Sequence, residues 1–203
     1  MGEHISFRKN EGLLTVKPYW RGNPVVRGRF VNRQHRAATG IGNVLKWRLS
    51  LNPQRKEKRR EKWDPRMNYL HSLENIKGDS LVWLGHNSFF MQFGGKRLMF
   101  DPVFGNIPFV RRRSKLPVDP SVFKNIDYLL ISHDHFDHMD KKSITLLYRN
   151  NPEMKLFCGL GTGSLVKSWF PEMEVIEAGW YQQIEDNGLK ITIKKREFTY
   201  EVY

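Results

Sequence analysis

Residues 127–140 read DYLLISHDHFDHMD, and this stretch decides the fold class. Its first half is a short apolar run, which is typical of a strand buried on both faces of a sheet. Three of the chain's seven histidines follow within six positions. Because α/β sheets present their sites at the carboxyl ends of strands, we interpret the histidine-rich loop as a site and not as a chance surface composition.

The spacing of the donor side chains predicts how this loop holds metal ions. His133 and His135 are two residues apart, so in an extended segment both rings lie on one side and can bind one ion. Asp137 and His138 follow at the turn into the next helix and can face a second ion. Imidazole and carboxylate groups suit zinc, iron or manganese. The single cysteine, Cys158, excludes an intramolecular disulfide and cysteine-based zinc sites.

Patterns of secondary structure flank the loop on both sides. Upstream, three runs of strand length predict a meander that ends at Asp101-Pro102: residues 80–84, 88–93 and 96–100. Downstream, the sequence predicts a helix, a strand, a second helix and three short strands: residues 141–150, 155–158, 162–170, 174–177, 181–185 and 189–193. A strand, helix and strand in this order imply a right-handed crossover within one sheet, so the predicted fold class is α/β.

Most of the positive charge lies in the N-terminal third. Of the formal net charge of +13, residues 1–66 carry 17 Lys and Arg against 5 Asp and Glu, whereas residues 67–203 carry 17 against 16. We therefore divide the chain into a basic arm, residues 1–66, and a domain, residues 67–203. Residues 1–40 show no period of 2 or 3.6, so we expect an irregular segment there, followed by a short helix at 43–51.

The densest basic run, residues 55–62, lies between Trp47 and Trp63. Basic residues with nearby aromatics suit contact with phosphates of a membrane or a nucleic acid, although a solvated connector has the same composition. No apolar run is long enough to span a bilayer, and the first residues lack the apolar stretch of a secretory signal. We therefore expect a cytoplasmic protein, with peripheral membrane contact through the arm as an alternative.

Three blocks of sequence together resemble the metallo-β-lactamase superfamily. They read WLGHNSFF at residues 83–90, DPVF at 101–104 and ISHDHFDH at 131–138. The H-x-H-x-D-H run is the superfamily signature, and the three blocks are similar to the branch that contains N-acylphosphatidylethanolamine-hydrolysing phospholipase D. Sugar-phosphate lactonases of the superfamily share a similar Gly-His-x-Ser element. The resemblance covers about residues 81–193.

This resemblance implies an αβ/βα sandwich, of which the chain holds mainly the first half. We therefore expect the sheet face that would pack on the second half to be exposed. The resemblance also implies that His133 and His135 bind a first metal, and that Asp137 and His138 bind a second metal and take part in catalysis. The expected cofactor is a pair of zinc ions, with iron or manganese as alternatives. Two such metals can share a water and stabilise the oxygens of a phosphodiester during hydrolysis. The implied substrate is N-acylphosphatidylethanolamine or a related phospholipid, with nucleic acid as a weaker alternative.

Two further residues match positions around the site of the family. Asp101 matches an aspartate that supports the metal-binding loop through hydrogen bonds, although an aspartate before a proline also suits a plain turn. His86 matches the Gly-His-x-Ser histidine near the site, although a lone histidine is also common in a core. We therefore assign both residues a supporting role.

Two weaker signals lie nearby. Residues 159–163 read GLGTG and look like a phosphate-binding loop, but they lack the Lys-Ser/Thr ending of a P-loop, so we predict a strand-to-helix turn. Residues 111–113 are three arginines in a loop between two blocks. We interpret them as solvated, with contact to an anionic substrate as the alternative.

The chain also departs from the family pattern. In the family, the second half adds a histidine to each metal and an aspartate that bridges both, but no histidine occurs here after His138. The later aspartates are Asp140 and Asp186, and the sequence around Asp186 predicts a hairpin turn. Catalytic zinc sites usually have three protein ligands, and each metal here would have two. We therefore expect a truncated or frameshifted product, an inactive remnant that binds a polyanion, or a site completed by a second chain or a dimer.

Overall fold

A six-stranded sheet carries the histidine-rich loop at its edge. The computed structural model describes residues 4–31, 42, 45–46, 49–50, 52–60, 66–107, 112 and 114–195. The strands are β1 (Ile5–Arg8), β2 (Leu14–Thr15), β3 (Asn23–Val26), β4 (Arg29–Phe30), β5 (Ser80–Gly85), β6 (Ser88–Phe93), β7 (Lys96–Phe100), β8 (Tyr128–Ile131), β9 (Lys155–Gly159), β10 (Val175–Ala178), β11 (Gln182–Asp186) and β12 (Leu189–Thr192). The helices with described bounds are α1 (Arg55–Arg60), α2 (Lys141–Asn150) and α3 (Gly163–Trp169).

The central sheet has the order β10-β9-β8-β7-β6-β5. Strands β5, β6 and β7 form the predicted antiparallel meander, and β7 to β10 run parallel to one another. Helix α2 connects β8 to β9, and α3 connects β9 to β10, so the carboxyl ends of these strands share one edge. The predicted α/β class and the predicted elements from residue 80 onward are confirmed.

Helix α2 begins directly after the histidine-rich loop because Asp140 caps it. The Asp140 carboxylate accepts hydrogen bonds from the backbone N–H of Ser143 at 3.0 Å and from its hydroxyl at 2.6 Å. The helix ends at Asn150, as predicted, just before Asn151-Pro152, and the Asn151 side chain donates to the carbonyl of Leu147 at 2.8 Å. The loop is therefore fixed at both ends, by β8 before it and by a capped helix after it.

Both faces of the central sheet are covered at β8, which explains the uninterrupted apolar run of this strand. Leu129 and Ile131 belong to a large core with helices α2 and α3, whereas Tyr128 packs on the opposite face with Phe157 of β9 and Ile184 of β11. The sequence led us to expect that this second face would be exposed. That expectation was wrong for its centre, because the β11–β12 hairpin covers it.

A three-stranded sheet of order β12-β11-β2 brings an N-terminal segment to the domain. Strand β2 pairs with β11 through Thr15 and Leu14. The side chain of Gln182 donates to the carbonyl of Asn10 at 2.6 Å, and its oxygen accepts from the backbone N–H of Asn10 at 2.9 Å. The contacts of the chain divide it into two units, one of Met1–Ser6 and Pro24–Arg66 and the other of Phe7–Asn23 and Met67–Tyr203. Part of the predicted basic arm thus clusters with the domain.

The prediction of an irregular segment over residues 1–40 was wrong where the structure describes it. Strands β3 and β4 form a hairpin, because Arg27 and Gly28 both have positive φ, 50° and 76°, as a tight primed turn requires. Helix α1 carries the basic sequence RKEKRR. The helix predicted at 43–51 falls largely outside the described residues.

The glycine-rich loop at residues 159–163 is filled by a side chain of the protein itself. The Glu177 carboxylate accepts the backbone N–H of Gly161 at 3.0 Å and of Gly163 at 2.5 Å. The predicted strand-to-helix turn is confirmed, since α3 begins at Gly163. Nearby, burial and the charge of Glu177 raise the pKa of the Cys158 thiol to about 12, so this thiol stays protonated. Over the part of the chain that the structure describes, no helix combines the length and the apolar content needed to cross a bilayer.

A polar contact fastens the β11–β12 hairpin to the central sheet. Asp186 accepts a hydrogen bond from the Lys155 ammonium at 2.8 Å and from the Tyr128 hydroxyl at 2.8 Å. The Lys155 bond lowers the pKa of the Asp186 carboxyl, partial burial opposes this, and the Tyr128 bond lowers it further. A carboxyl whose pKa is lowered on folding stabilises the protein above its unfolded pKa of about 3.9 and loses that effect as the pH falls.

We predict that Asp186→Asn lowers the free energy of unfolding by about 1 to 2 kcal/mol at pH 7, because a charge-assisted hydrogen bond becomes neutral. Urea unfolding at pH 7, 5 and 3 measures the effect. The difference from the parent protein should shrink as the pH falls below about 3.9, the pKa of the carboxyl in the unfolded chain, because proton binding then favours the unfolded state. Glu153→Gln, at an exposed carboxylate, is the matched control. An effect of Asp186→Asn that is equally large at pH 3 would contradict the assignment.

Candidate metal centre

The histidine-rich loop folds back on itself directly after β8. The backbone N–H groups of His138 and Met139 both donate to the carbonyl of His135, at 2.9 and 2.8 Å. The Met139 side chain is buried in the main core and anchors the end of the loop. This turn brings His138 back toward His133, and their ring centroids lie 3.9 Å apart.

A buried carboxylate, Asp101, organises the base of the loop. One of its oxygens accepts the backbone N–H of Ser132 at 2.7 Å. The other accepts the Ser132 hydroxyl at 2.6 Å and lies 2.8 Å from Nδ1 of His138. Because a buried carboxylate needs hydrogen-bond donors, these contacts fix the direction of the His138 ring and favour a proton on Nδ1. The second ring nitrogen, Nε2, then presents its lone pair outward.

The backbone of Asp101 is left-handed, with φ 41°, in the position where its carboxylate contacts Ser132 and His138. Such a conformation is uncommon for a residue other than glycine and costs of the order of 1–3 kcal/mol. Two hydrogen bonds hold it: Asp101 donates its N–H to the carbonyl of Leu130 at 3.0 Å, and its own carbonyl accepts the hydroxyl of buried Ser88 at 2.7 Å. The Ser88 oxygen also accepts the N–H of Val103 at 2.9 Å.

The predicted donor residues form two neighbouring groups. In the first, Nε2 of His133 lies 3.1 Å from Nδ1 of His135. In the second, Oδ2 of Asp137 lies 3.8 Å from Nε2 of His138 and 3.1 Å from Nε2 of His86. The structure thus brings together His86 and the residues of the loop, although they are 51 positions apart in the sequence. His86 and His135 are exposed, and the other donors are half-buried.

The local electrostatics hold these groups in the forms that bind metal. Partial burial, followed by the charges of His138 and His135, lowers the pKa of His133, so this imidazole is neutral near pH 7. Partial burial acts to raise the pKa of Asp137. Hydrogen bonds from His86 and from the backbone, together with the charges of His138 and His86, outweigh this effect. The pKa of Asp137 therefore lies below its ordinary value. A neutral imidazole and an ionised carboxylate are the ligand forms.

Three residues of this site were not predicted from the sequence: Asn87, Ser132 and Arg112. Asn87 places its amide nitrogen 3.1 Å from Nε2 of His138 and 3.3 Å from Nε2 of His86. Ser132 links Asp101 to Nδ1 of His133, which lies 2.9 Å from its hydroxyl. Both residues stand inside blocks of the resemblance, so their positions were visible but their contacts were not. These contacts depend on the fold and not on spacing along the chain.

The third missed residue, Arg112, supports the turn that carries His86. Its guanidinium donates to the backbone carbonyls of Leu84, of Val103 at 3.1 Å and of Ser114 at 3.1 Å. Burial lowers the pKa of Arg112 relative to a free arginine. The expectation of a solvated arginine was therefore wrong at this position, because the side chain joins three segments of backbone. Arg111 and Arg113 lie outside the described residues.

We predict that Asp101→Asn changes the tautomer of His138. An amide nitrogen facing Nδ1 donates where the carboxylate accepted, so the ring proton should move from Nδ1 to Nε2. Long-range ¹H–¹⁵N NMR of the imidazole groups measures this change in the metal-free protein. Asp134→Asn, at an exposed carboxylate of the same loop, should leave the tautomer unchanged. A proton that stays on Nδ1 in Asp101→Asn would show that Asn87, and not Asp101, sets the tautomer.

Comparison with known proteins identifies the family of this chain. Residues 96–199 match the family described as Beta-lactamase superfamily domain. Curated relatives include a UPF0173 metal-dependent hydrolase of Saccharolobus solfataricus, 31% identical over 57% of this chain and 48% of the relative. Another is the N-acyl-phosphatidylethanolamine-hydrolyzing phospholipase D 1 of Caenorhabditis elegans, 28% identical over 55% of this chain and 35% of the relative.

Among solved structures, the isothiocyanate hydrolase from Delia radicum gut bacteria is similar at 17% identity, with a TM-score of 0.44, over 53% of this chain and 44% of that chain. The chain spans between about a third and a half of the length of the curated relatives named above. The family match covers half of the chain and includes the whole histidine-rich loop. The chain therefore belongs to the beta-lactamase superfamily.

Proposed function

We propose that the protein is a metal-dependent hydrolase that acts on a phosphodiester. The observation that carries this proposal is the convergence of His133, His135, Asp137 and His138 at the carboxyl edge of the sheet, above the buried Asp101 carboxylate. The family contributes the second line of support, because a relative that is 31% identical is named a metal-dependent hydrolase.

The donor set fits divalent metal ions. A tetrahedral ion with bonds of about 2.0–2.1 Å separates its donors by roughly 3.3 Å. The His133 and His135 nitrogens are 3.1 Å apart, and the Asp137 and His138 donors are 3.8 Å apart, so each distance is near that value. We assign His133 and His135 to one metal and Asp137 and His138 to a second. Zinc is the proposed metal, and iron and manganese use the same donors.

A bound metal pair supplies Lewis acidity toward a phosphoryl oxygen and lowers the pKa of a coordinated water. The chain's own residues prepare the site for this chemistry. Asp101 orients His138 through Nδ1, and Asp137 enters as a carboxylate because its pKa is lowered. In the proposed reaction, a water oxygen bonds to phosphorus, the bond from phosphorus to one ester oxygen breaks, and the departing oxygen takes up a proton. Asp137 and His138 are the residues that we place next to the reacting atoms.

A phospholipid is the proposed substrate class. The phospholipase D of Caenorhabditis elegans is named for hydrolysing such a lipid and is 28% identical over 55% of this chain. The metal site lies open at the sheet edge, where His135 and Phe136 are exposed, with the Phe136 side chain at 55%. Next to it, a cavity of about 360 Å³ lies between the inner sheet face and the β11–β12 hairpin and reaches Asp101 and Ser132. Its apolar lining suits an acyl chain.

An aromatic surface around β2 that carries one lysine supports contact with an anionic membrane. Lys17 lies over the rings of Tyr181 and Trp20, at 4.4 and 5.5 Å from their centroids. Tyr19 is fully exposed beside them, and Leu14 is 62% exposed. Aromatic rings with lysines favour the interface of a membrane, where each basic residue contributes about 1 kcal/mol on anionic lipid. This surface, residues 14–20 with Tyr181, is called the β2 surface below.

We predict that the zinc-loaded chain hydrolyses a phosphodiester, and that His133→Ala/His135→Ala lowers the rate at least about 100-fold because two metal ligands are lost. N-acylphosphatidylethanolamine in mixed micelles and bis(p-nitrophenyl) phosphate are the substrates, and chelation with readdition of zinc checks the dependence on metal. His71→Ala, at an exposed histidine outside the site, is the control. Zinc binding with no hydrolysis of either substrate would favour the inactive remnant.

We predict that Lys17→Glu weakens binding to phosphatidylglycerol vesicles about tenfold or more, because it changes the charge of the β2 surface by two units. Vesicle cosedimentation at several salt concentrations measures the effect. Lys115→Glu, an equal change at another exposed lysine, should have little effect. Equal binding to anionic and zwitterionic vesicles would remove the membrane proposal. Stronger binding to duplex DNA than to vesicles would favour a nucleic-acid partner.

A further inference from the structure

We propose that His86, on the turn between β5 and β6, is the third protein ligand of the metal bound by Asp137 and His138. The inference rests on the proposed function, since it requires that the histidine-rich loop binds divalent metal. It gives one metal position three ligands from this chain's own described residues: His86, Asp137 and His138.

The distances among the three donor atoms support shared ligation. The Asp137 oxygen is 3.1 Å from Nε2 of His86 and 3.8 Å from Nε2 of His138. One donor atom from each residue lies within 4.8 Å of the other two. These separations bracket the donor spacing of roughly 3.3 Å that a tetrahedral zinc site requires.

The side chain of Asn87 shows that the two imidazoles point to one place. Its amide nitrogen lies 3.1 Å from Nε2 of His138 and 3.3 Å from Nε2 of His86. An amide N–H group donates toward a lone pair, so the Nε2 lone pair of His138 is directed at this point. Nε2 of His86 lies at the same point, and it can bind a metal when the metal replaces the proton that it shares with Asp137. The His138 lone pair is fixed there because its Nδ1 is held by Asp101. A cation that accepts both lone pairs would take the place of the Asn87 amide.

The backbone of the turn holds His86 in this position. Gly85 and His86 have φ of 95° and 51°, and the pairing of Gly85 with Ser88 closes the turn tightly. The carbonyl of His86 accepts the indole N–H of Trp83 at 2.9 Å. Glycine suits position 85 because its backbone is left-handed, and the guanidinium of Arg112 would have to shift to admit a side chain there. The ligand is thus carried by a supported hairpin and not by a free loop.

The two metal positions are therefore unequal. Among the described residues, the position of His133 and His135 has these two protein donors, whereas the position of His86, Asp137 and His138 has three. More protein ligands mean tighter binding, so the three-ligand position should fill first as zinc is added.

The test is zinc affinity, measured by competition with a chelating dye on the full chain. We expect His133→Ala/His135→Ala to retain one zinc per chain, held at the three-ligand position. Adding His86→Asn to this variant should weaken that binding at least 100-fold. Asparagine tolerates the left-handed backbone of the turn, and His86→Gly is the second variant if His86→Asn unfolds. His71→Asn in the same background should leave the affinity unchanged.

A direct readout of ligation separates a ligand from a residue that only supports the turn. In the His133→Ala/His135→Ala chain, the Nε2 resonance of His86 in ¹⁵N NMR should move into the range of metal-bound imidazole when one equivalent of zinc is added. An unchanged affinity in the His86→Asn chain, or an unmoved resonance, overturns the inference. Zinc binding and hydrolysis by the parent chain would then still support the proposed function. Conversely, ligation by His86 without any hydrolysis would leave the inference standing and contradict the function.

Discussion

The Asp101 carboxylate is the interaction on which the rest of the site depends. A buried carboxylate is costly unless donors surround it, and here the donors come from the loop that carries the metal ligands: Ser132 twice and His138 once. The end of β7, the end of β8 and the histidine-rich loop therefore form one polar unit. The left-handed backbone of Asp101 would be unfavourable alone, and hydrogen bonds with Leu130 and Ser88 stabilise it. Strain of this kind is typical of functional sites.

The central sheet was largely predictable from the sequence, because its signals are local. Each of these signals acts over a few residues, as in the apolar run that forms β8 and the helical pattern at residues 141–150. The donor residues could also be predicted from local sequence, because the spacing of His133 and His135 is apparent before the fold is known. Such features arise from backbone periodicity and capping, which one sequence contains in full.

Contacts between distant parts of the chain were not predictable. Asn10 and Gln182 are 172 positions apart, and neither carries a pattern that marks it as a partner of the other. This pairing brings residues that look like an irregular basic arm into the sheet of the domain. Arg112 is a second case, because a charged residue in an arginine-rich loop looks solvated until the carbonyls of Val103 and Ser114 are seen around it. Both contacts provide hydrogen-bond partners for backbone N–H or C=O groups. Every buried backbone group needs such a partner, but which residue provides it depends on the fold.

The same distinction explains why the number of metal ligands is easily underestimated from the sequence. Counting donors in the H-x-H-x-D-H run gives two per metal, because that count considers only residues adjacent in the chain. The β5–β6 turn lies next to the loop because β7 pairs with β6 on one side and with β8 on the other. His86 thus reaches Asp137 through the order of the strands, and Asp101 fixes the His138 ring so that both histidines face the same point. The order of strands in the sheet, and not the motif alone, determines how many donors one metal position receives.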